Sequence, residues 1–190
     1  GSAPVVTYQA ASANHYGVIT LGTNAGATAG QGGSLTLSAS VTNGSFFNLG
    51  GHDGWDSYFI CHPGQLTNIR TRCGFFLDHT TIPPQTWMGI RYDTNATYGD
   101  TNYVYECCTA GTCTPGVTGQ SVSATVFQTF RIRRPAGTVL MSVDGGAEVS
   151  LASNCPTGQL TAGFQIATDT NAAKTLFIDY WAFRETGLGR

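Results

Sequence analysis

Charge is what this chain has least of: 11% of its 190 residues are Asp, Glu, Lys or Arg, Lys174 is the single lysine, and the formal net charge is −2. A balance so thin excludes the basic surface on which nucleic acid binds, and it gives an anionic membrane nothing to attract. Long apolar runs are missing as well. No stretch nears the roughly eighteen residues that cross a bilayer as a helix. No signal-peptide pattern is present, and Gly1-Ser2 reads as a cloning scar ahead of an excised domain. Nowhere do apolar residues recur at helical spacing over ten or more positions. The short catalytic signatures are absent too: there is no serine nucleophile elbow, no phosphate-cradling glycine loop and no His-Glu-x-x-His metal motif. The glycine cluster at 30–33 precedes a strand-like run, so it lacks the helix N-terminus that makes an anion site.

What is there is the vocabulary of short strands and turns, with 25 glycines and 41% hydrophobic residues. The run TLFIDYWAF at 175–183 is the most apolar, with seven of nine residues apolar or aromatic. Simple alternation puts Leu176, Ile178, Tyr180 and Ala182 on one face and Phe177, Asp179, Trp181 and Phe183 on the other, so both faces of this strand are expected to be covered. Before it, residues 127–134, 138–143, 147–151 and 159–168 alternate like antiparallel strands. Asp144-Gly145-Gly146 is a strong hairpin signal, because glycine accepts positive φ at no steric cost. Further strands are expected over 15–21, 34–41, 57–61, 71–77, 87–92 and 103–107. Thirteen or so short strands and almost no helix predict an all-β, two-sheet antiparallel sandwich. The expected organisation is one domain over 15–184, with an extended lead-in at 1–14 and a polar tail at 185–190.

Six cysteines are many for a cytosolic protein of this size. If 57–61 and 71–77 form a hairpin centred near Thr67, Phe59 falls opposite Phe75 and Cys61 opposite Cys73, close enough for a disulfide. Cys108 and Cys113 close a short loop, which leaves Cys107 to reach Cys155. A zinc knot and a fully reduced set remain alternatives, although no Cys-x-x-Cys pair supports the first.

The stretches HYGVITL (15–21), RCGFFLD (72–78), GIRY (89–92), FRI (130–132), VDG (143–145) and FIDY (177–180) together resemble the concanavalin A-like jelly roll. The version found in bacteriophage tail fibres and other virion structural proteins is the more specific resemblance. It implies a jelly-roll sandwich that attaches to a glycan or protein on a surface or in an assembly, with a trimer as the customary fibre state and a virion or extracellular location. The cysteine-bearing loop at 106–116 and the Trp55 loop depart from the pattern, and loops of that kind carry what is peculiar to one protein.

Enzymes also use this superfold, chiefly retaining glycoside hydrolases and polysaccharide lyases. The sandwich hydrolases carry their carboxylates as Glu-x-Asp-x-x-Glu on one strand, whereas Glu106, Glu148 and Glu185 are dispersed here. A pair would have to be assembled from Asp93, Asp100 and Glu106. His52, His62 and His79 with Arg70, Arg72 and Arg91 supply the residue types of a lyase without a spacing that selects any of them. Asp53, Asp56, Asp93 and Asp100 lie in loops that suit Ca²⁺, but turn capping accounts for them, so no cofactor is expected. Recognition asks for less: aromatic faces beside a few polar groups. Trp55, Tyr92, Tyr98, Asp100, Tyr103 and Tyr105 meet that test and are the candidate binding residues. The expectation is a non-enzymatic attachment domain. The alternatives are a secreted polysaccharide-active enzyme or carbohydrate-binding module, and a capsid decoration protein.

Overall fold

The structure is a computed structural model that describes residues 5–9, 17–24, 30–36, 47–49 and 53–185. One sheet runs in the order β1 (Val5–Gln9), β2 (Val18–Gly22), β14 (Thr175–Glu185), β5 (Trp55–Pro63), β10 (Gln128–Arg134), β11 (Val139–Val143) and β12 (Val149–Leu151). The other runs β3 (Gly32–Thr36), β13 (Gln159–Thr168), β6 (Ile69–Phe76), β7 (Trp87–Asp93), β8 (Asn102–Thr109) and β9 (Thr112–Ser121), and β4 (Phe47–Asn48) pairs with the start of β13. Neighbours pair antiparallel throughout, and no helix occurs among the described residues. The expected lead-in contains the paired edge strand β1. Of the expected strands, residues 15–16 and 37–41 lie outside the described residues, as does His52.

Alternation explains the layers. In β5 the buried positions Trp55, Ser57, Phe59 and Cys61 separate the half-buried Asp56, Tyr58 and Ile60, and β10 buries Gln128, Phe130 and Ile132 between Thr129 and Arg131. The inward sets of both sheets meet in one core. Phe59 sits at its centre, with its ring edge-on to Phe75 and Phe164 of the opposite sheet at 5.6 Å each. The β11–β12 hairpin turns at Asp144 and Gly145, both at positive φ (50° and 70°), as the sequence predicts.

Three expectations are corrected. First, Trp55 is not in a loop: it opens β5 and is buried, stacked on Phe183 and edge-on to Phe75. Second, 175–183 is not covered on both faces. The register of β14 against β5 shifts between Ile178 and Tyr180, so Asp179 is a bulge residue and the alternation reverses there. Leu176 and Ile178 before the bulge, and Trp181 and Phe183 after it, all join the core, while Tyr180 is half exposed. The two apparent faces of the sequence are one face interrupted.

Third, Cys61 and Cys73 are free thiols, not a bridge. β5 and β6 belong to different sheets, so the chain between them arches from one layer to the other instead of closing a hairpin. The expected neighbours do meet, Phe59 on Phe75 and Cys61 on Cys73, but face to face across the interior. Two inward-pointing sets satisfy the same pairing whether they oppose within a sheet or between sheets. The remaining cysteines form Cys107–Cys155 and Cys108–Cys113, as expected. Burial, together with the hydrogen bond to Cys61, holds the Cys73 thiol well above its ordinary value.

Two outcomes follow. Alkylation of the native protein should label no cysteine, alkylation in denaturant without reductant should add two groups, and added reductant should raise that to six, read by intact mass; a count of zero in denaturant would mean a third bridge. Phe59→Ala should cost about 3–5 kcal/mol in urea unfolding, and a loss below about 1 kcal/mol would displace Phe59 from the centre of the core.

Candidate functional site

The outer faces of the two sheets differ. On the first, Asp56, Tyr58, Arg131 and Arg133 are all only partly buried, as a solvated face requires. On the second, β6, β7, β8 and β13 are buried at almost every position, inward and outward alike. The outward residues there include Arg72 at 1% exposure, Asp93 at 0%, Glu106 at 3% and Gln165 at 1%. Buried charge is expensive unless it is paired, so a face built this way needs a specific arrangement.

Register supplies that arrangement. Gln165, Arg72 and Arg91 stand side by side across β13, β6 and β7. One row further along, Gly163, Gly74 and Gly89 lead to Glu106 on β8. The glycines leave a bare floor where the backbones crowd: a Cβ on Gly89 would lie 2.1 Å from the Cys73 carbonyl oxygen, and Gly74 has φ 151°. Arg72 donates to Asp93 at 2.7 Å, while Arg70 bonds Asp169 and lies 3.8 Å from Asp93. Arg91 bonds Glu106 through Nη1 and Asp100 through Nε at 2.9 Å, and the Asp93 amide donates to the same Asp100 oxygen at 3.0 Å. Tyr98 covers this cluster, with its ring centroid 4.2 Å from the Arg91 guanidinium carbon. Burial pulls the Arg72 guanidinium below its ordinary value, and Asp93 opposes that.

On the same face Phe76 and Trp87 stack in parallel, centroids 5.7 Å apart, and with Cys108 form a satellite apolar cluster closed by the Cys108–Cys113 bridge. Residues 81–85 fold over them, held where Gln165 Nε2 donates to the carbonyls of His79 (2.7 Å) and Thr81 (3.3 Å). Between these walls lies a cleft of about 320 Å³, bounded by Thr81, Pro84, Gln85, Trp87, Tyr98 and Glu106 among others. Five buried polar atoms in this region have no hydrogen-bond partner among the described residues: Arg72 Nε, Gln165 Oε1, Thr161 Oγ1, His79 Nδ1 and Asp169 Oδ2. A larger hollow of about 670 Å³ on the first sheet, around Tyr58, Arg131 and Glu148, is lined by half-buried and exposed groups apart from the buried Ser142, as an ordinary wet surface is.

Of the six candidate binding residues, Tyr98 and Asp100 belong to this site and the other four do not. Tyr92, Tyr103 and Tyr105 point between the sheets with Trp55, because alternate positions of β7 and β8 face the core. Burial, the largest influence, raises the phenols of Tyr92 and Tyr103 and pushes Tyr105 up to about 12. Asp93, Asp100 and Glu106 do converge, but through arginines. Arg91 stands between Asp100 and Glu106, where a retaining pair would need a sugar carbon between two facing carboxyl groups. The aspartates considered for calcium each engage an arginine: Asp53 with Arg134, Asp56 with Arg131, Asp93 with Arg72 and Asp100 with Arg91. Among the described residues, metal-ligating types converge at Glu106, Cys108 and Cys113, where both sulfurs are in a disulfide. His62 stacks on Phe177 at the end of the core, while the carbonyl of His79 lies over the site. Arg72, Arg91, Gln165 and Trp87 were not candidate binding residues. Their signal is the sharing of one face by Arg70, Arg72, Arg91 and Asp93 on strands whose other face is wholly apolar or aromatic apart from Thr71.

No family model matches the chain, and no curated protein matches it. Solved structures do. A protein of unknown function from Shewanella oneidensis is similar at 14% identity over 95% of this chain and 74% of its own, with a TM-score of 0.65. A family 7 alginate lyase in complex with product is similar at 12% identity over 93% and 85%, TM-score 0.58, and a Bacillus licheniformis β-glucanase at 12% over 95% and 76%, TM-score 0.51. Likeness at this identity shows the fold: the chain is a concanavalin A-like jelly-roll sandwich, the class expected from its sequence.

Asp93→Ala leaves Arg72 buried and unpaired and should cost about 3–5 kcal/mol. Arg72→Met with Asp93→Leu should recover most of that loss in urea unfolding. A single-variant loss below about 1 kcal/mol would mean that the pair is solvated.

Proposed function

We propose that the outer face of the second sheet binds a glycan, and that the protein is a carbohydrate-recognition module of extracellular surroundings. The observation that carries this reading is the one-sided burial of charge. A sandwich with a complete core gains nothing in stability from sinking Arg72, Arg91, Asp93 and Glu106 into its outer face, since apolar residues of similar volume would serve at least as well. A polar floor fixed in position, beside the half-buried ring of Tyr98 in an open cleft backed by the buried Trp87, is what recognition of a hydroxyl-rich ring asks for. Neighbours of the same fold that are named as a lyase and a glucanase support a polysaccharide setting. Two disulfides suit an oxidising compartment.

The reading is binding without turnover, because Arg91 occupies the space between Asp100 and Glu106. The fibre-borne, trimeric attachment domain expected from the resemblance is one setting for such a face; a trimer would repeat it without altering its chemistry. A second reading, a polysaccharide-active enzyme, is favoured by one observation, the carboxylate of Glu106 in the cleft.

Native-gel retardation by immobilised polysaccharides, run beside assays for reducing ends and for unsaturated products, separates the two. Recognition predicts retardation with no new ends, and Tyr98→Ala should weaken it about tenfold or more while the fold is retained by circular dichroism. Turnover abolished by Glu106→Gln would install the enzyme instead.

A further inference from the structure

The charges of the face decide what kind of glycan it takes. Three guanidinium groups, Arg70, Arg72 and Arg91, meet four carboxylates, Asp93, Asp100, Glu106 and Asp169, and each arginine is already engaged. Arg91 is committed through Nε, Nη1 and Nη2 together. The single charged residue bounding the cleft is Glu106. A carboxylate or sulfate arriving there would lose its water, find no uncommitted cation, and face a negative group. That combination is unfavourable at any depth where the dielectric falls below that of water.

The polar groups that line the cleft point the same way. Glu106 brings carboxylate oxygens to the cleft, and Gln85 an amide oxygen beside its amide N–H groups. Acceptors need donors, which a sugar hydroxyl supplies and an ionised uronate carboxyl does not.

We infer that the face selects an uncharged glycan and rejects polyuronates and sulfated polysaccharides, the rejection being enforced by the carboxylates that neutralise Arg72 and Arg91. This rests on the glycan-binding reading and narrows it to a substrate class. It also predicts that the selectivity can be inverted. Asp100→Asn with Glu106→Gln leaves Arg91 with two neutral partners and an uncompensated charge beside the cleft.

The test is retardation in native gels containing neutral polysaccharides (mixed-linkage β-glucan, laminarin, galactomannan) or polyuronates (polymannuronate, polygalacturonate), at low salt, where attraction between opposite charges is least screened. The wild-type protein should be slowed by at least one neutral polymer and by neither polyuronate. The double variant, checked for folding by its melting curve, should gain retardation by a polyuronate that disappears at about 0.5 M salt. Wild-type retardation by a polyuronate, or no gain in the folded double variant, would overturn the charge inference and leave glycan binding standing. No retardation by any polymer would overturn the glycan reading itself, and this inference with it.

Discussion

Two arginines face each other across neighbouring strands, Arg72 on β6 and Arg91 on β7, on the outer side of a sheet that is buried there. Like charges in direct register repel, and both are far from bulk water, so the arrangement holds only because carboxylates surround them. Asp93 takes one, Asp100 and Glu106 take the other, and the Asp93 amide ties the two halves together. From this constraint the rest of the face follows. The 93–100 turn must fold back to deliver Asp100. Tyr98 is thereby laid over the arginines, and the glycine row keeps side chains off the floor next to them.

On the proposed reading, the same cluster separates recognition from chemistry. A pair of carboxyl groups becomes an acid and a nucleophile when a substrate atom stands between them; here a guanidinium stands there. The residues are those a hydrolase would use, and the order in which they are placed gives a rigid, nearly neutral surface instead. Rigidity serves binding, because groups fixed beforehand lose little freedom when a ligand arrives. The cleft is shaped on one side by the Cys108–Cys113 loop and on the other by residues 81–85, so the segment with the least regular sequence forms its walls.

Fold class was legible because period-two alternation survives in nearly every strand, and of the three expected disulfides Cys108–Cys113 was legible from its spacing and Cys107–Cys155 as the pairing that loop left over. What alternation could not reveal was which sheet a strand joins. Phe59 with Phe75 and Cys61 with Cys73 are true neighbours, yet the geometry that makes them so is packing between layers. The bulge at Asp179 hid in the same way, since one extra residue turns a single apolar face into two apparent ones. For the site, tyrosine content misled: Tyr92, Tyr103 and Tyr105 sit at alternate positions and therefore share the core face. Arginine placement would have served better, because a charged residue on the second face of an interior strand has no ordinary reason to be there.

The central claim, that recognition happens on the arginine-bearing face of the second sheet, is tested most directly by amide and indole chemical-shift mapping during titration with a neutral gluco-oligosaccharide. The account predicts saturable shifts at the Trp87 indole and at the amides of Gln85, Arg91, Tyr98 and Glu106, with Tyr58, Arg131 and Glu148 unmoved. Shifts confined to those last three residues, across the sandwich, would contradict it.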